Sequence, residues 1–277
     1  MEPFVKVSEA QKPTLLYLSK WMEQYPQLSI GFTTRVGGVS KGDFASLNCG
    51  LHVNDNKEDV ITNRKMIAEA IGFSFDTVTC SNQVHGDEIA LITQDEKGKG
   101  RLSQEDSIPF KDALITDQPN ICLISFYADC VPLYFFDPVL QVIGIAHAGW
   151  KGTYLEIAKK TIIKMSEAYG SKPENILAGI GPSIGHCCYE VDERIINHFE
   201  DTYYLYSFIQ SKGNGKYTLN LKEMNRQIML NAGILPTQIE ITQYCTGCSS
   251  DMFYSHRIEK GSTGRMMSWI GLKSPIA

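Results

Sequence analysis

The sequence predicts a fold that interleaves strands with helices, on three observations. Residues 121–148 hold three apolar runs, ICLISFY, VPLYFF and QVIGIAHA, rich in β-branched and aromatic residues and separated by turn formers. Two stretches, Asn56–Gly72 and Thr153–Gly170, are bounded by helix start and stop signals. Hydrophobic residues make up 43% of the chain and charged residues 21%, the balance of an ordinary soluble globular protein.

In chain order, residues 1–34 read as short strands with an amphipathic piece around Leu15–Met22. Gly31–Ser40 then carries a strand into Gly37-Gly38, with Arg35 before the pair and Ser40 after it. The glycines suit either a plain hairpin turn or a cradle in which backbone amides converge on an anion. Asn56 is placed to cap a helix, with Asp59 three residues on as in a capping box. Val60, Asn63, Arg64, Ile67, Ala68 and Ile71 follow a mostly helical period, and Gly72 ends it. A strand over 77–84 should end at His85-Gly86-Asp87, and 88–93 should be another. Residues 94–111 read as an exposed polar loop whose Glu96–Arg101 run is solvated surface, and 113–117 leads into the central stretch. Beyond it come a helix from Thr153 to about Tyr169, a strand over 175–180, and helices over 191–199 and 220–232, with Asn220 and Glu223 resembling a capping box.

The Asp137-Pro138-Val139-Leu140 break reads as a tight reversal, with Pro preset for the first central turn position. A turn centred on Pro138 and Val139 sets Cys130 opposite His147, where directly opposed Cβ atoms lie roughly 4.5–5.5 Å apart. A one-residue slip would send one of the two to the other face. Most buried thiols are inert packing. Here, however, Asp129 and Pro132 flank the thiol as at a strand end, and His147 precedes Ala148-Gly149-Trp150-Lys151-Gly152, a strand-to-helix junction of the kind at which α/β proteins keep their sites. His85 occupies a third such strand end.

Bulk properties exclude several classes. A formal net charge of −5 argues against a protein whose affinity rests on nucleic-acid phosphates. No apolar run approaches the roughly 20 residues that span a bilayer, and MEPFVKVSEAQKP lacks the pattern of a signal peptide. The eight cysteines are therefore expected as thiols or metal ligands in a reducing, cytoplasmic setting rather than as disulfides.

His85, Cys130 and His147 make a two-nitrogen, one-sulfur set, and three protein ligands with an open fourth position are the pattern of catalytic zinc. The rival is a nucleophile pair, Cys130 as thiolate and His147 as base; spacing does not separate the two. A second glycine-rich turn, Gly181–Glu190, carries His186, Cys187, Cys188 and Tyr189, and Cys245-Thr246-Gly247-Cys248 is a C-x-x-C. A structural zinc there would need a second pair or histidine partners, which His186, Cys187 and Cys188 supply only through long-range folding. Successive side chains of a strand face opposite sides, so at most one of the two adjacent cysteines is expected to face a site. His256-Arg257 and Thr263-Gly264-Arg265 add guanidinium groups suited to phosphate or carboxylate.

NQVHGD, FYADCVPL, AHAGWKGT, GPSIGHCCYEVD and TGRM, in this order, resemble the YfiH/YlmD family, also called the laccase-domain or polyphenol oxidase family. The resemblance runs from about Gly31 to Gly271 and implies one YfiH-like catalytic domain over residues 1–277. The implied fold is α+β, a layered α/β/β/α sandwich with mixed sheets related to the cytotoxic necrotizing factor catalytic domain. The implied metal is zinc, with copper as the alternative, on His85, Cys130 and His147. The implied activity is that of a purine nucleoside phosphorylase acting on adenosine, inosine and S-methyl-5'-thioadenosine, with adenosine deaminase activity. Its partners are then purine nucleosides and phosphate, with phosphate expected at Arg35 and Arg265. Two alternatives stand beside it: a metal-independent cysteine hydrolase or amidase using Cys130 and His147, and a copper-dependent polyphenol oxidase. Six histidines are few for a multicopper centre.

Overall fold

A computed structural model of the chain describes residues 2–200 and 202–274. Two six-stranded sheets lie face to face. The first runs Phe4–Val7, Leu15–Leu18, Leu28–Thr33, Met266–Leu272, Cys122–Tyr127, Val78–Cys80. The second runs Ile239–Ile241, Leu177–Ile180, Val131–Asp137, Val142–Ala148, Ala113–Thr116, Ile89–Leu91. Both are mixed: mostly antiparallel, with parallel pairs towards the edges. A small sheet of Glu190–Asp192, Lys216–Leu219 and Ile209–Gly213 stands apart.

The three apolar runs become strands but divide between the sheets. Along each, alternate residues serve different layers, as the two-residue period of a strand requires. Leu123 and Tyr127 face Tyr134, Phe136, Ile143 and Ile145 across the gap between the sheets. On the outer side of the first sheet, Ile124, Phe126 and Trp269 pack on the helix Lys57–Ala70 through Ile67 and Ala68. On the outer side of the second, Leu133, Phe135, Val142 and Ala146 meet the helices Ile157–Tyr169 and Leu221–Asn231. The result is an α/β/β/α sandwich. Burial on both faces explains why these strands read as unbroken apolar runs rather than as alternating ones. Tyr134 links the sheets directly, its hydroxyl donating to the Gly31 carbonyl at 2.8 Å.

Local signals set several helix ends. Asn56 Oδ1 accepts from the Asp59 amide at 3.0 Å, Asn220 Oδ1 accepts from the Glu223 amide at 3.3 Å, and Gly170 closes its helix at φ 78°. Several expectations change. The helix expected over 191–199 opens as the strand Glu190–Asp192, and only Glu193–Ile196 is α-helical. The helix from Thr153 splits into Trp150–Tyr154 and Ile157–Tyr169 around Glu156, which is left-handed at φ 56°. Thr153 does not cap; its Oγ1 accepts from Asn225 Nδ2. The strand expected over 77–84 shortens to Val78–Cys80, and residues 94–111 are not simply exposed. The Cys80 amide donates to the Lys99 carbonyl, and Arg64 donates to the carbonyls of Gly100 and Arg101, drawing that loop against the body.

The central hairpin also departs from its expected register. Asp137 pairs with Val142 and Pro132 with His147, so four residues rather than two make the turn. Asp137 Oδ1 accepts from the amides of Val139 and Leu140, and Gln141 turns left-handed at φ 56°. A two-residue shift preserves facing. Cys130, one residue before its strand, is therefore a diagonal rather than a direct neighbour of His147. Among the described residues no helix is long and apolar enough to cross a membrane.

The inter-sheet layer should respond as a packed core. Ile145→Ala is expected to lower unfolding free energy by about 2–5 kcal/mol. Tyr134→Phe, which removes only the inter-sheet hydrogen bond, should cost about 0.5–1.5 kcal/mol. Urea melts of both variants check this; an unchanged midpoint for Ile145→Ala contradicts it.

Candidate active site

The strand Ala113–Thr116 lies between Ile89–Leu91 and Val142–Ala148 in the second sheet. Its leading residue, Asp112, is therefore next to the chain that enters one neighbour and the chain that leaves the other. The buried Asp112 carboxylate uses both oxygens. Oδ1 lies 2.8 Å from His147 Nδ1 and accepts from the His85 amide at 3.0 Å; Oδ2 accepts from the amides of Gly86 and Val84 at 2.8 and 3.1 Å. This network brings His85 beside His147, with ring centroids 4.7 Å apart. Cys130 completes the set, and the three donor atoms lie within 4.8 Å of one another.

Two of the segments involved are held in backbone conformations that non-glycine residues seldom adopt: His85 at φ 58° and Asp129 at φ 88°. Such residues cost on the order of 1–3 kcal/mol and persist where their surroundings over-determine them. The His85 amide is fixed by Asp112. Asp129 accepts from Thr246 Oγ1 at 2.6 Å and from the Arg257 amide at 2.7 Å, while its carbonyl accepts from the Ile184 amide. The space around the set is tight. A Cβ at Gly149 would lie 3.1 Å from Cys130 Sγ and 3.3 Å from His85 Cδ2.

The charges follow from the contacts. Burial opposes ionisation of Cys130, yet the imidazoles of His147 and His85 overcome it and hold the thiol below its ordinary value. Burial likewise opposes charging of His147, and Cys130 and Asp112 overcome it and raise His147. Burial pushes Asp112 up; the bond with His147 and the amides of Gly86 and Val84 bring it below its ordinary value. Without a metal, both directions favour the thiolate–imidazolium form of the pair. With Nδ1 committed to Asp112, Nε2 of His147 is the nitrogen left for a ligand. The donor set fits a metal held by two nitrogens and one sulfur with a fourth position open to the cavity, and a carboxylate behind a ligating histidine is the usual support of such sites.

A cavity of about 400 Å³ opens over the three residues. Its wall includes His52, Arg64, Phe126, Tyr189, Arg257 and Arg265. The described arginines that pair with carboxylates are Arg35, Arg101, Arg194 and Arg226. Arg64 is buried and spends Nε and Nη1 on the carbonyls of Cys49, Gly100 and Arg101. Arg265 bonds the carbonyls of Thr263 and Gly264. Neither has a carboxylate partner among the described residues. Burial, with Arg265 and Arg64 nearby, pushes His52 down to about 4, so it is neutral at pH 7.

The structure thus brings together His85, Cys130, His147 and Arg265, and leaves Arg35 outside. Arg35 bonds Glu259 at 2.9 Å and the carbonyls of Ala45 and Ser250, and its guanidinium lies over Tyr254. The anion cradle considered at Gly37-Gly38 is filled from within, because both amides donate to Ser46 Oγ at 3.1 Å. Asp112 escaped the sequence reading: nothing local marks an acid at the start of a strand as a histidine's partner. Arg64 left a signal, a charge at a core-facing position of a helical period.

Three outcomes follow. Asp112→Asn should weaken metal binding about 10–100-fold, as measured by competition with a chromophoric chelator; unchanged affinity contradicts the assignment. Gly149→Ala should displace Cys130 or His85 and lower metal affinity in the same direction. In metal-free protein, alkylation of Cys130 should reach half its maximal rate below the roughly 8.5 of an ordinary thiol. The sign for stability is fixed by the two directions. Cys130, depressed on folding, contributes stability above its unfolded value that is lost as pH falls through its folded value. His147, raised on folding, contributes stability below its unfolded value that is lost as pH rises through its folded value. The pair is therefore intact only between those two folded values.

A family model described as multi-copper polyphenol oxidoreductase laccase matches residues 29–273. A protein of Bacillus subtilis named purine nucleoside phosphorylase YlmD is 38% identical over 265 residues, covering 94% of this chain and 95% of that one. The crystal structure of Bacillus licheniformis hypothetical protein YfiH superposes with a TM-score of 0.91 at 41% identity, covering 97% of this chain and 99% of that one. That of YlmD from Geobacillus stearothermophilus gives 0.91 at 36% identity, covering 99% and 100%. The chain belongs to the family described as multi-copper polyphenol oxidoreductase laccase, among relatives named YlmD and YfiH.

Proposed function

We propose that the protein is a purine nucleoside phosphorylase, and that the cavity over His85, Cys130 and His147 is its active site. The relatives' name supplies the reaction class. The observation that carries the reading is that Arg64 and Arg265, without carboxylate partners among the described residues, share one cavity with the thiol and the two imidazoles. A buried cation lacking an internal counter-ion favours an anionic ligand, and guanidinium groups match phosphate geometry. A volume of about 400 Å³ lies within the roughly 300–1,000 Å³ typical of small-molecule sites.

In phosphorolysis a phosphate oxygen forms the bond to the ribose C1', while the bond from C1' to the purine nitrogen breaks and its electron pair leaves with the base. Arg265 and Arg64 hold the phosphate and screen its charge from the anionic thiolate. Tyr189 and Phe126 offer ring surface to the purine. His85, Cys130 and His147 would hold zinc, with copper as the alternative; when bound, such an ion polarises a ligand oxygen or lowers the pKa of bound water. Asp112 keeps His147 in the tautomer that ligation requires. The same pocket accounts for adenosine deamination if water rather than phosphate is the nucleophile, adding at C6 with loss of ammonia. Adenosine, inosine and S-methyl-5'-thioadenosine differ at C6 or C5', which leaves the reacting ribose carbon common to all three.

A second reading is favoured by one feature. The Cys130 thiolate, the His147 imidazolium and the Asp112 carboxylate form a nucleophile, a general acid for the leaving group and an orienting anion. That is the equipment of a metal-independent cysteine hydrolase or amidase.

Adenosine with phosphate should yield adenine and ribose 1-phosphate, read by chromatography; inosine alone reduces the protein to a deaminase. Arg265→Ala should raise KM for phosphate about 10–100-fold, the worth of one charged hydrogen bond. Cys130→Ala should lower turnover at least about a hundredfold; full activity in that variant overturns both chemical readings. Chelation that leaves activity intact favours the hydrolase, and oxygen uptake with a phenol in place of phosphorolysis favours the oxidase.

A further inference from the structure

Four cysteines outside the active site converge. Cys187, Cys188, Cys245 and Cys248 place their sulfurs within 4.8 Å of one another, none in a disulfide. The Sγ–Sγ distances are 3.6 Å for Cys187 and Cys245, 3.4 Å for Cys187 and Cys248, and 3.5 Å for Cys188 and Cys248. A tetrahedron of sulfurs about 2.3 Å from a central zinc has edges of about 3.8 Å. The cluster is close to that size already. Cys187 and Cys188 lie in a turn rather than a strand, so the alternation that would have sent them to opposite sides does not apply.

The two segments are built to meet. Ser183 and Cys245 form a parallel bridge, and the Thr246 amide donates to the Ser183 carbonyl. The Gly185 amide donates to Cys245 Sγ at 3.1 Å, a bond that favours a charged sulfur. Each segment contributes a glycine where a side chain would intrude. A Cβ at Gly185 would lie 3.1 Å from Cys187 Sγ and 3.2 Å from Cys245 Sγ; one at Gly247 would lie 2.8 Å from Cys188 Cβ. Lys222, buried, donates to the carbonyls of Thr242 and Tyr244, placing a cation just before Cys245. A zinc tetrathiolate is a dianion, and that cation partly offsets it.

We propose that Cys187, Cys188, Cys245 and Cys248 bind a structural zinc ion, separate from the ligand set of the active site. Its place in the fold gives it a task. Cys188 precedes Tyr189 on the cavity wall, and Thr246 donates to Asp129, the residue before Cys130. The ion would staple residues 183–188 to residues 245–248 and so fix the rim of the cavity. Four thiols without a metal offer only weak hydrogen bonds to each other.

The test uses full-length protein purified under reducing conditions without chelator. The active-site set is disabled by Cys130→Ala, or by His85→Ala should the first variant fail to fold, with circular dichroism as the check. Elemental analysis should find one equivalent of zinc remaining. Cobalt(II) replacing it should give the strong visible bands and the sulfur-to-metal charge transfer of a tetrahedral tetrathiolate. Adding Cys187→Ser and Cys248→Ser, both exposed positions, should remove that equivalent and those bands and lower Tm. Cys188→Ser alone should give the same loss. The proposal is overturned if no zinc remains and all four thiols titrate freely, if cobalt binds without the charge-transfer bands, if the serine variants keep the zinc, or if the cysteines are found as disulfides.

Discussion

One buried carboxylate organises this site. Asp112 stands where three strands of the second sheet begin or end side by side, and its two oxygens collect three backbone amides and one imidazole. The His85 segment, left-handed at that residue, has no reason of its own to stop beside His147. It is held there because amides removed from water need acceptors, and the carboxylate supplies them. The acid in turn stays ionised although buried, since each bond it accepts favours the charged form. Breaking it would cost the His85 backbone, the His147 tautomer and the cavity floor together.

That arrangement suits two chemical states of one residue set, the metal-free pair and a set that could hold a metal. Without a metal, the contacts favour Cys130 and His147 neutralising each other as thiolate and imidazolium. Binding a metal at Nε2 of His147 requires that proton to leave, so metal occupancy and the ion pair compete for the same electrons. Asp112 supports either state, holding an Nδ1 proton in both. The guanidinium groups of Arg64 and Arg265 add positive potential to the same wall, which lowers the cost of a thiolate below and of an anionic guest above.

Much of this was legible in the chain. The apolar runs, the capped helix at Asn56 and the stop at Gly170 are local features and appear where local chemistry places them. His85, Cys130 and His147 can be grouped because each reads in the sequence as a strand end beside small or turn-forming residues, although the strand before His85 stops at Cys80. The hairpin register missed by two residues because Asp137 binds two turn amides and widens the loop; facing survived because strands alternate with period two. What stayed hidden depends on distance in sequence. Asp112 gains meaning only when the sheet order is known. Arg35 looked available beside two glycines, yet Glu259, more than two hundred residues away, claims it. Cys187 and Cys188 looked incompatible with one site because a strand was assumed where the chain turns.

The proposed function depends on one thiol and two imidazoles sharing a ligand, with a fourth position left open. X-ray absorption at the zinc edge addresses this directly, using protein whose Cys187 and Cys248 have been replaced by serine so that one site contributes. The spectrum should require one sulfur and two imidazole nitrogens, plus one light atom that inorganic phosphate or a nucleoside perturbs. A shell with no sulfur, or with four protein ligands and no response to either ligand, would contradict it.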